Sequence, residues 1–163
     1  DDYERLELLG EGSYGAVWKV KAQRTGELLA MKRTALQDNE LGENFDHEVD
    51  IMEKLKGVPN TVQLYDNFKK STNGYMVMTL MEGGNLESKI KGDKEKRREN
   101  PVQYKTHDTR EYRATMKKCM RSVMEALEKM HDRGIVHLDI KPDNIGVGAS
   151  LDDCIVFDFG LSQ

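Results

Sequence analysis

His137-Leu138-Asp139-Ile140-Lys141-Pro142-Asp143-Asn144, followed after a short apolar stretch by Asp158-Phe159-Gly160, decides how this chain is read. A proton acceptor (Asp139), a cation (Lys141) and two oxygen donors suited to a hard divalent metal (Asn144, Asp158) flank an expected hairpin of residues 145–147 and 155–157. Transfer of a phosphoryl group from a nucleotide needs such a set. A carboxylate orients the attacking hydroxyl, while metal ligands and a cation neutralise charge on the phosphates. A turn capped by aspartates would explain any one of these residues but not all of them together.

The opposite end of the chain carries a second set. Gly10-Glu11-Gly12-Ser13-Tyr14-Gly15-Ala16-Val17 places three glycines between two apolar strands. There they let a hairpin fold closely over phosphates without side chains obstructing backbone N–H groups. Ala30-Met31-Lys32 follows on a third strand. A lysine directed inward there needs a carboxylate partner, or it tends to lose its proton. Glu48 is the expected partner, on the inward face of a helix one turn before Met52. Glu43 and Glu53 are the alternative acids, and His47 is a neighbour of the same helix.

Around these motifs the first third of the chain alternates apolar and charged residues, as strands do. The spacing of Phe45, Val49, Met52 and Leu55 predicts a helix over 44–56, stopped by Gly57-Val58-Pro59-Asn60. Strands are expected at 61–68 and 75–81, giving five strands around one helix. Met81-Glu82-Gly83-Gly84-Asn85 is the natural boundary between two lobes. Beyond it, Leu86 begins a helix expected to dissolve into a solvated loop at 91–100, a run of mixed charge closed by Pro101. The clearest helix spans 107–133, where Tyr112, Met116, Cys119, Val123, Leu127 and Met130 recur every three or four residues before Gly134.

Composition narrows the class. The chain has 163 residues, a net charge of −4, 37% hydrophobic and 33% charged residues. That balance suits a globular protein and argues against a general nucleic-acid binder. No apolar run is long enough for a membrane span, and the acidic N-terminus does not resemble a signal peptide. Cys119 and Cys154 are the two cysteines, and both fall in apolar patterns. They are expected to be separate buried thiols in an intracellular setting, cytoplasmic or nuclear. Oligomeric state is left open.

Taken together, these motifs resemble the catalytic domain of the eukaryotic-type protein kinases. The likeness runs the whole length of the chain, but over only the first part of that family's domain. It implies an α+β, bilobal fold. The N-lobe would be a five-stranded antiparallel sheet with one helix, at residues 1–81. The first, mainly helical part of the C-lobe would follow at 82–163. It also implies ATP-dependent phosphorylation of serine or threonine on protein substrates, with Mg2+, since lysine two residues after the aspartate is typical of serine/threonine kinases.

By the same resemblance Asp139, Lys141, Lys32 and Glu48 are catalytic, and Asn144 and Asp158 hold the metal. Gly10, Gly12, Ser13, Gly15, Val17, Ala30, Lys32, Met78 (the gatekeeper), Thr79 and Met81 contact the nucleotide. Met52, Leu64, His137 and Phe159 match the family's apolar spine. Two residues depart from the pattern. Leu138 stands where an arginine usually receives a phosphorylated activation loop, which argues against that mode of activation. Gly146 stands where a larger apolar residue floors the adenine pocket, which would cost of order 1–2 kcal/mol of packing. The chain stops three residues after Asp-Phe-Gly, which favours a piece of a longer kinase over a short nucleotide-binding module acting as an inhibitor or partner.

Overall fold

The computed structural model describes residues 2–12, 15–37, 39–99, 110–148 and 153–163. Ser13, Pro101, His107 and Asp152, all noted in the sequence, lie outside them. The chain divides into two compact units. One comprises Asp1–Gly57, Val62–Leu80 and Phe159–Gln163, and the other Val58–Thr61 and Met81–Asp158.

In the first unit, β1 (Tyr3–Gly12), β2 (Gly15–Ala22), β3 (Leu28–Ala35), β4 (Leu64–Lys70) and β5 (Asn73–Thr79) form one antiparallel sheet in the order β1-β2-β3-β5-β4. The period of two along a strand divides its side chains between two faces. Leu29 and Met31 join Val20, Tyr75 and Val77 in a buried cluster flanked by Trp18 and Phe68. Ala30 and Lys32 therefore point to the other face. The two edge strands are tied by Tyr3, whose hydroxyl donates to Asp66 Oδ2 at 3.0 Å. Burial, then that carboxylate, pushes the Tyr3 phenol up to about 12.

Helix α1 (Asn39–Lys54) starts five residues earlier than its apolar spacing suggested, adding a polar first turn with Glu40, whose charge suits a helix N-terminus. Phe45, Ile51 and Met52 bury one stripe of it, and Leu55 follows just after its end. Each fully buried side chain of this size contributes about 1.5–3 kcal/mol. A Cβ at Gly74 would lie 2.6 Å from the Phe45 ring, so glycine in β5 lets the helix approach the sheet. Strands β4 and β5 lie two to three residues away from the expected spans, with the turn tightened at Ser71, whose φ is 56°.

In the second unit, α2 (Leu86–Glu99) corrects the expected loop: the charge run stays helical to Glu99. Lysine, arginine and glutamate are good helix formers, and Glu87 pairs with Lys91 at 3.1 Å, one turn apart. Asn85 Oδ1 accepts the Ser88 N–H at 2.9 Å and caps the first turn. Helix α3 (Arg110–His131) buries Cys119, Val123, Ala126 and Met130. It closes at Gly134 (φ 71°), where Ile135 N–H donates to Met130 O and Gly134 N–H to His131 O.

A 3-10 turn, Pro142–Asn144, leads into β6 (Ile145–Val147), which pairs antiparallel with β7 (Cys154–Val156). The two cysteines are not separate thiols: Cys119 and Cys154 form a disulfide with Cα atoms 5.1 Å apart. Cys154 opens β7, which packs against the α3 face that carries Cys119. Thirty-five residues of separation hid that proximity from the sequence.

Candidate active site

The functional side chains form two groups, one in each unit. In the first, Lys32 Nζ donates to both Glu48 carboxylate oxygens, at 2.8 and 2.7 Å. Alternation in β3 turns Lys32 toward α1. On α1, Glu48 lies one helical turn before Met52, and it is 7% exposed. The other acids weighed for this role, Glu43 and Glu53, are exposed. His47 Nε2 lies 2.6 Å from the carbonyl oxygen of Ser162. The ladder pairs Val17 with Lys32 and Ala30 with Met78, so these four residues share the face of the sheet that α1 covers.

The glycines of the β1–β2 hairpin differ from one another. At Gly15 (φ 130°) a Cβ would run into the Arg33 carbonyl oxygen, so the fold itself demands glycine. At Gly10 and Gly12 a Cβ would meet nothing within 4 Å among the described residues. No packing explains those two, and open backbone there is what a phosphate cradle requires.

In the second unit, Asp139 is the hub. Lys141 Nζ donates to its Oδ2 at 2.7 Å, and Asn144 Nδ2 donates to the same oxygen at 2.8 Å and to the Asp139 carbonyl at 3.0 Å. The Lys141 bond is the main reason the Asp139 carboxyl is held below the usual carboxylate range, with Asn144 helping. Asp139 in turn raises Lys141, assisted by the charges of Asp158 and Asp143.

His137, entered above only as a spine residue, ties this group together. Its Nδ1 accepts the Asp139 N–H at 3.2 Å, which leaves Nε2 to donate to Phe157 O at 3.1 Å. One buried imidazole thereby links the backbone of Asp139 to the residue before Asp158. Leu138 and Asp158 both take left-handed backbone, φ 63° and 67°, a conformation that side chains rarely adopt. A histidine two residues before an aspartate carries no sequence sign of such a bridge.

The donor set fits a magnesium ion. Both Asn144 N–H bonds go to Asp139, which commits the amide nitrogen and turns Oδ1 away as the acceptor; Asp158 adds an exposed carboxylate. Among the described residues no three His, Cys, Asp or Glu gather as a metal cage. Magnesium characteristically takes one or two protein oxygens and completes its shell with phosphates and water.

Nearby, a Cβ at Gly146 would lie 2.5 Å from Met81 Sδ. Met81 thus occupies the space that a side chain at Gly146 would take. Two backbone groups of residues expected to contact the nucleotide are already committed: Thr79 N–H donates to Gln63 O, and Met81 O accepts from Gly84 N–H. Each of the expected spine residues, Met52, Leu64, His137 and Phe159, is buried.

Residues 3–163 match the protein kinase domain. This chain belongs to the protein kinase domain family. It is 31% identical over 170 residues to a smooth-muscle myosin light chain kinase of Gallus gallus, covering 100% of this chain and 8% of that protein. Identity to the MAP kinase-interacting serine/threonine-protein kinase mnk-1 of Caenorhabditis elegans is 37% over 147 residues, 88% of this chain and 19% of that protein. Calcium/calmodulin-dependent protein kinase type 1 of the same organism is 30% identical, over 100% of this chain and 43% of its own length. The chain therefore spans less than half the length of these relatives. The fold expected from the sequence, an antiparallel five-stranded sheet with one helix followed by a mainly helical portion, is the fold found. No helix among the described residues is long and apolar enough to cross a membrane.

Proposed function

We propose that this protein transfers the γ-phosphate of ATP to serine or threonine hydroxyls of protein substrates. The observation that carries the reading is the Asp139 carboxylate, pinned by Lys141 and Asn144 and tied through His137 to the approach to Asp158. Asp139 orients the substrate hydroxyl. The hydroxyl oxygen bonds to the γ-phosphorus as the bond from that phosphorus to the β–γ bridging oxygen breaks. The hydroxyl proton passes late to Asp139, a step where position matters more than basicity. That order suits a carboxylate held below its usual range. Lys141 offsets charge on the moving phosphoryl group.

Asn144 and Asp158 would hold magnesium, which would supply positive charge to offset that of the phosphates. Lys32, kept in place by Glu48, grips the non-transferred phosphates, and the backbone of Gly10, Gly12 and Gly15 covers them. Val17, Ala30 and Met78 wall the adenine, with the Thr79 and Met81 backbone bonding its edge. In this reading the N-lobe is 1–81 and the C-lobe portion 82–163. The setting is intracellular, cytoplasmic or nuclear, because the reaction needs ATP; cysteine usage no longer argues for it.

The test is thermal denaturation with and without magnesium-ATP. A ligand that binds only the folded form raises the midpoint by mass action. The expected result is a magnesium-dependent rise that Lys32→Met reduces. No rise at millimolar nucleotide in folded protein overturns the reading.

A further inference from the structure

The hairpin β6–β7 carries the two proposed magnesium ligands at its two ends. Asn144 immediately precedes β6, and Asp158 follows β7 by two residues. The ends are drawn together where Phe157 N–H donates to Asn144 O at 3.1 Å. Strand β7 is held from three directions. It pairs with β6, its Val156 N–H donates to Asn60 O at 2.8 Å, and its first residue is bonded covalently to α3 through Cys154–Cys119. Both cysteines are essentially buried, at 1% and 0% exposure, and no other cysteine is present in the chain.

We propose that the Cys119–Cys154 pair is a redox-responsive clamp that sets the placement of Asn144 and Asp158, and so the grip on magnesium nucleotide; this rests on the kinase reading above. In the oxidised form α3 and the hairpin are one covalent frame. Reduction consumes two thiols of a small-molecule or protein reductant. One thiolate attacks a cysteine sulfur to give a mixed disulfide, and a second releases it, leaving Cys119 and Cys154 as thiols and the reductant as its disulfide. A low-molecular-weight disulfide reverses the same exchange, two electrons in each direction.

Reduction removes that covalent tie, so β7 keeps its ladder to β6 and the Val156–Asn60 bond while the ends of the hairpin are held less firmly. Contacts that orient metal ligands typically contribute about 10–100-fold in metal affinity. The loss falls on the nucleotide and magnesium because the hairpin ends carry those ligands. Burial of both sulfurs makes exchange wait on local opening, so the clamp responds slowly compared with an exposed disulfide.

The experiment follows one protein sample through reduction with dithiothreitol and reoxidation with glutathione disulfide. Thiol state is read by alkylation and mass spectrometry, fold by circular dichroism, and magnesium-dependent affinity with a fluorescent ATP analogue. Cys119→Ser, Cys154→Ser and Cys154→Val run alongside. The expected result is a drop in magnesium-dependent affinity of tenfold or more on reduction, unchanged helical signal and recovery on reoxidation. The variants should match the reduced protein and ignore dithiothreitol. Unchanged affinity with both thiols shown free overturns the clamp and leaves the kinase reading standing. Loss of affinity together with helical signal overturns it in favour of a purely structural bond. Failure to find the disulfide in the oxidised protein overturns it too. Absence of nucleotide binding in both redox forms defeats the underlying reading and the clamp with it.

Discussion

Asn144 reaches Asp139 twice with one amide nitrogen, 3.0 Å from its carbonyl oxygen and 2.8 Å from its carboxylate Oδ2. A proposed metal ligand thereby also fixes the rotamer of the proposed proton acceptor. Asn144→Ala should lower kcat by about 10²-fold or more, because both the aspartate and the magnesium lose their placement together. Steady-state kinetics across a magnesium titration checks it. A variant whose full rate returns simply on adding magnesium shows that Asn144 serves the metal alone.

The pair Asp139–Lys141 gives a pH dependence with a definite sign. Asp139 lies below its ordinary value, so the stability its ionised form lends is present above the unfolded value of about 3.9 and is lost as pH falls through the lower folded value. Lys141 is raised, so its share is present below about 10.4 and lost only as pH climbs through a value higher still. Across the neutral range both charges stay in place. Carbon-13 NMR of labelled aspartate should show the Asp139 midpoint moving up toward the ordinary range in Lys141→Met. An unmoved midpoint denies Lys141 its part.

Lys32 and Glu48 should be coupled in stability. Breaking a fully buried ion pair costs about 3–5 kcal/mol; with the Lys32 side chain 20% exposed, solvent screening reduces this, and Lys32→Met should cost about 2 kcal/mol. Adding Glu48→Gln should recover part of that loss, since the amide leaves no carboxylate charge to desolvate. Denaturant unfolding of the single and double variants measures it. Strictly additive losses would show that the two charges do not support one another.

The hairpin glycines should separate fold from function. Gly15→Ala forces a Cβ against Arg33 O in left-handed backbone and should cost well over 1 kcal/mol of stability. Gly12→Ala meets open space, so stability should stay within about 0.5 kcal/mol while the magnesium-ATP shift of the melting midpoint shrinks. Melting curves with and without nucleotide check both. An undiminished shift in Gly12→Ala removes the phosphate cradle from the account.

Much of this was legible in the chain because the information was local. Two-residue alternation turned Lys32 inward, helical spacing put Glu48 and Met52 one turn apart, and the Asp139–Asn144 cluster spans six residues. Four features were not legible, each for a physical reason. The 91–100 charge run looked like loop because mixed charge has no apolar period, yet its residue types favour helix and it stays helical to Glu99. The disulfide depends on packing β7 against α3, which no spacing reports. Met81 over Gly146 and the His137 bridge are likewise products of tertiary contact, invisible until the backbone places them.

The most direct measurement compares magnesium-ATP affinity and phosphate incorporation into serine, threonine and tyrosine peptides for the wild-type protein, Asp139→Asn and Asp158→Asn. In the proposed mechanism Asp139 acts on the hydroxyl, so its variant should keep ATP affinity and lose turnover, and Asp158 acts on the metal, so its variant should lose both. Transfer should go to serine or threonine. Undiminished transfer by Asp139→Asn, or a preference for tyrosine, would contradict the mechanism.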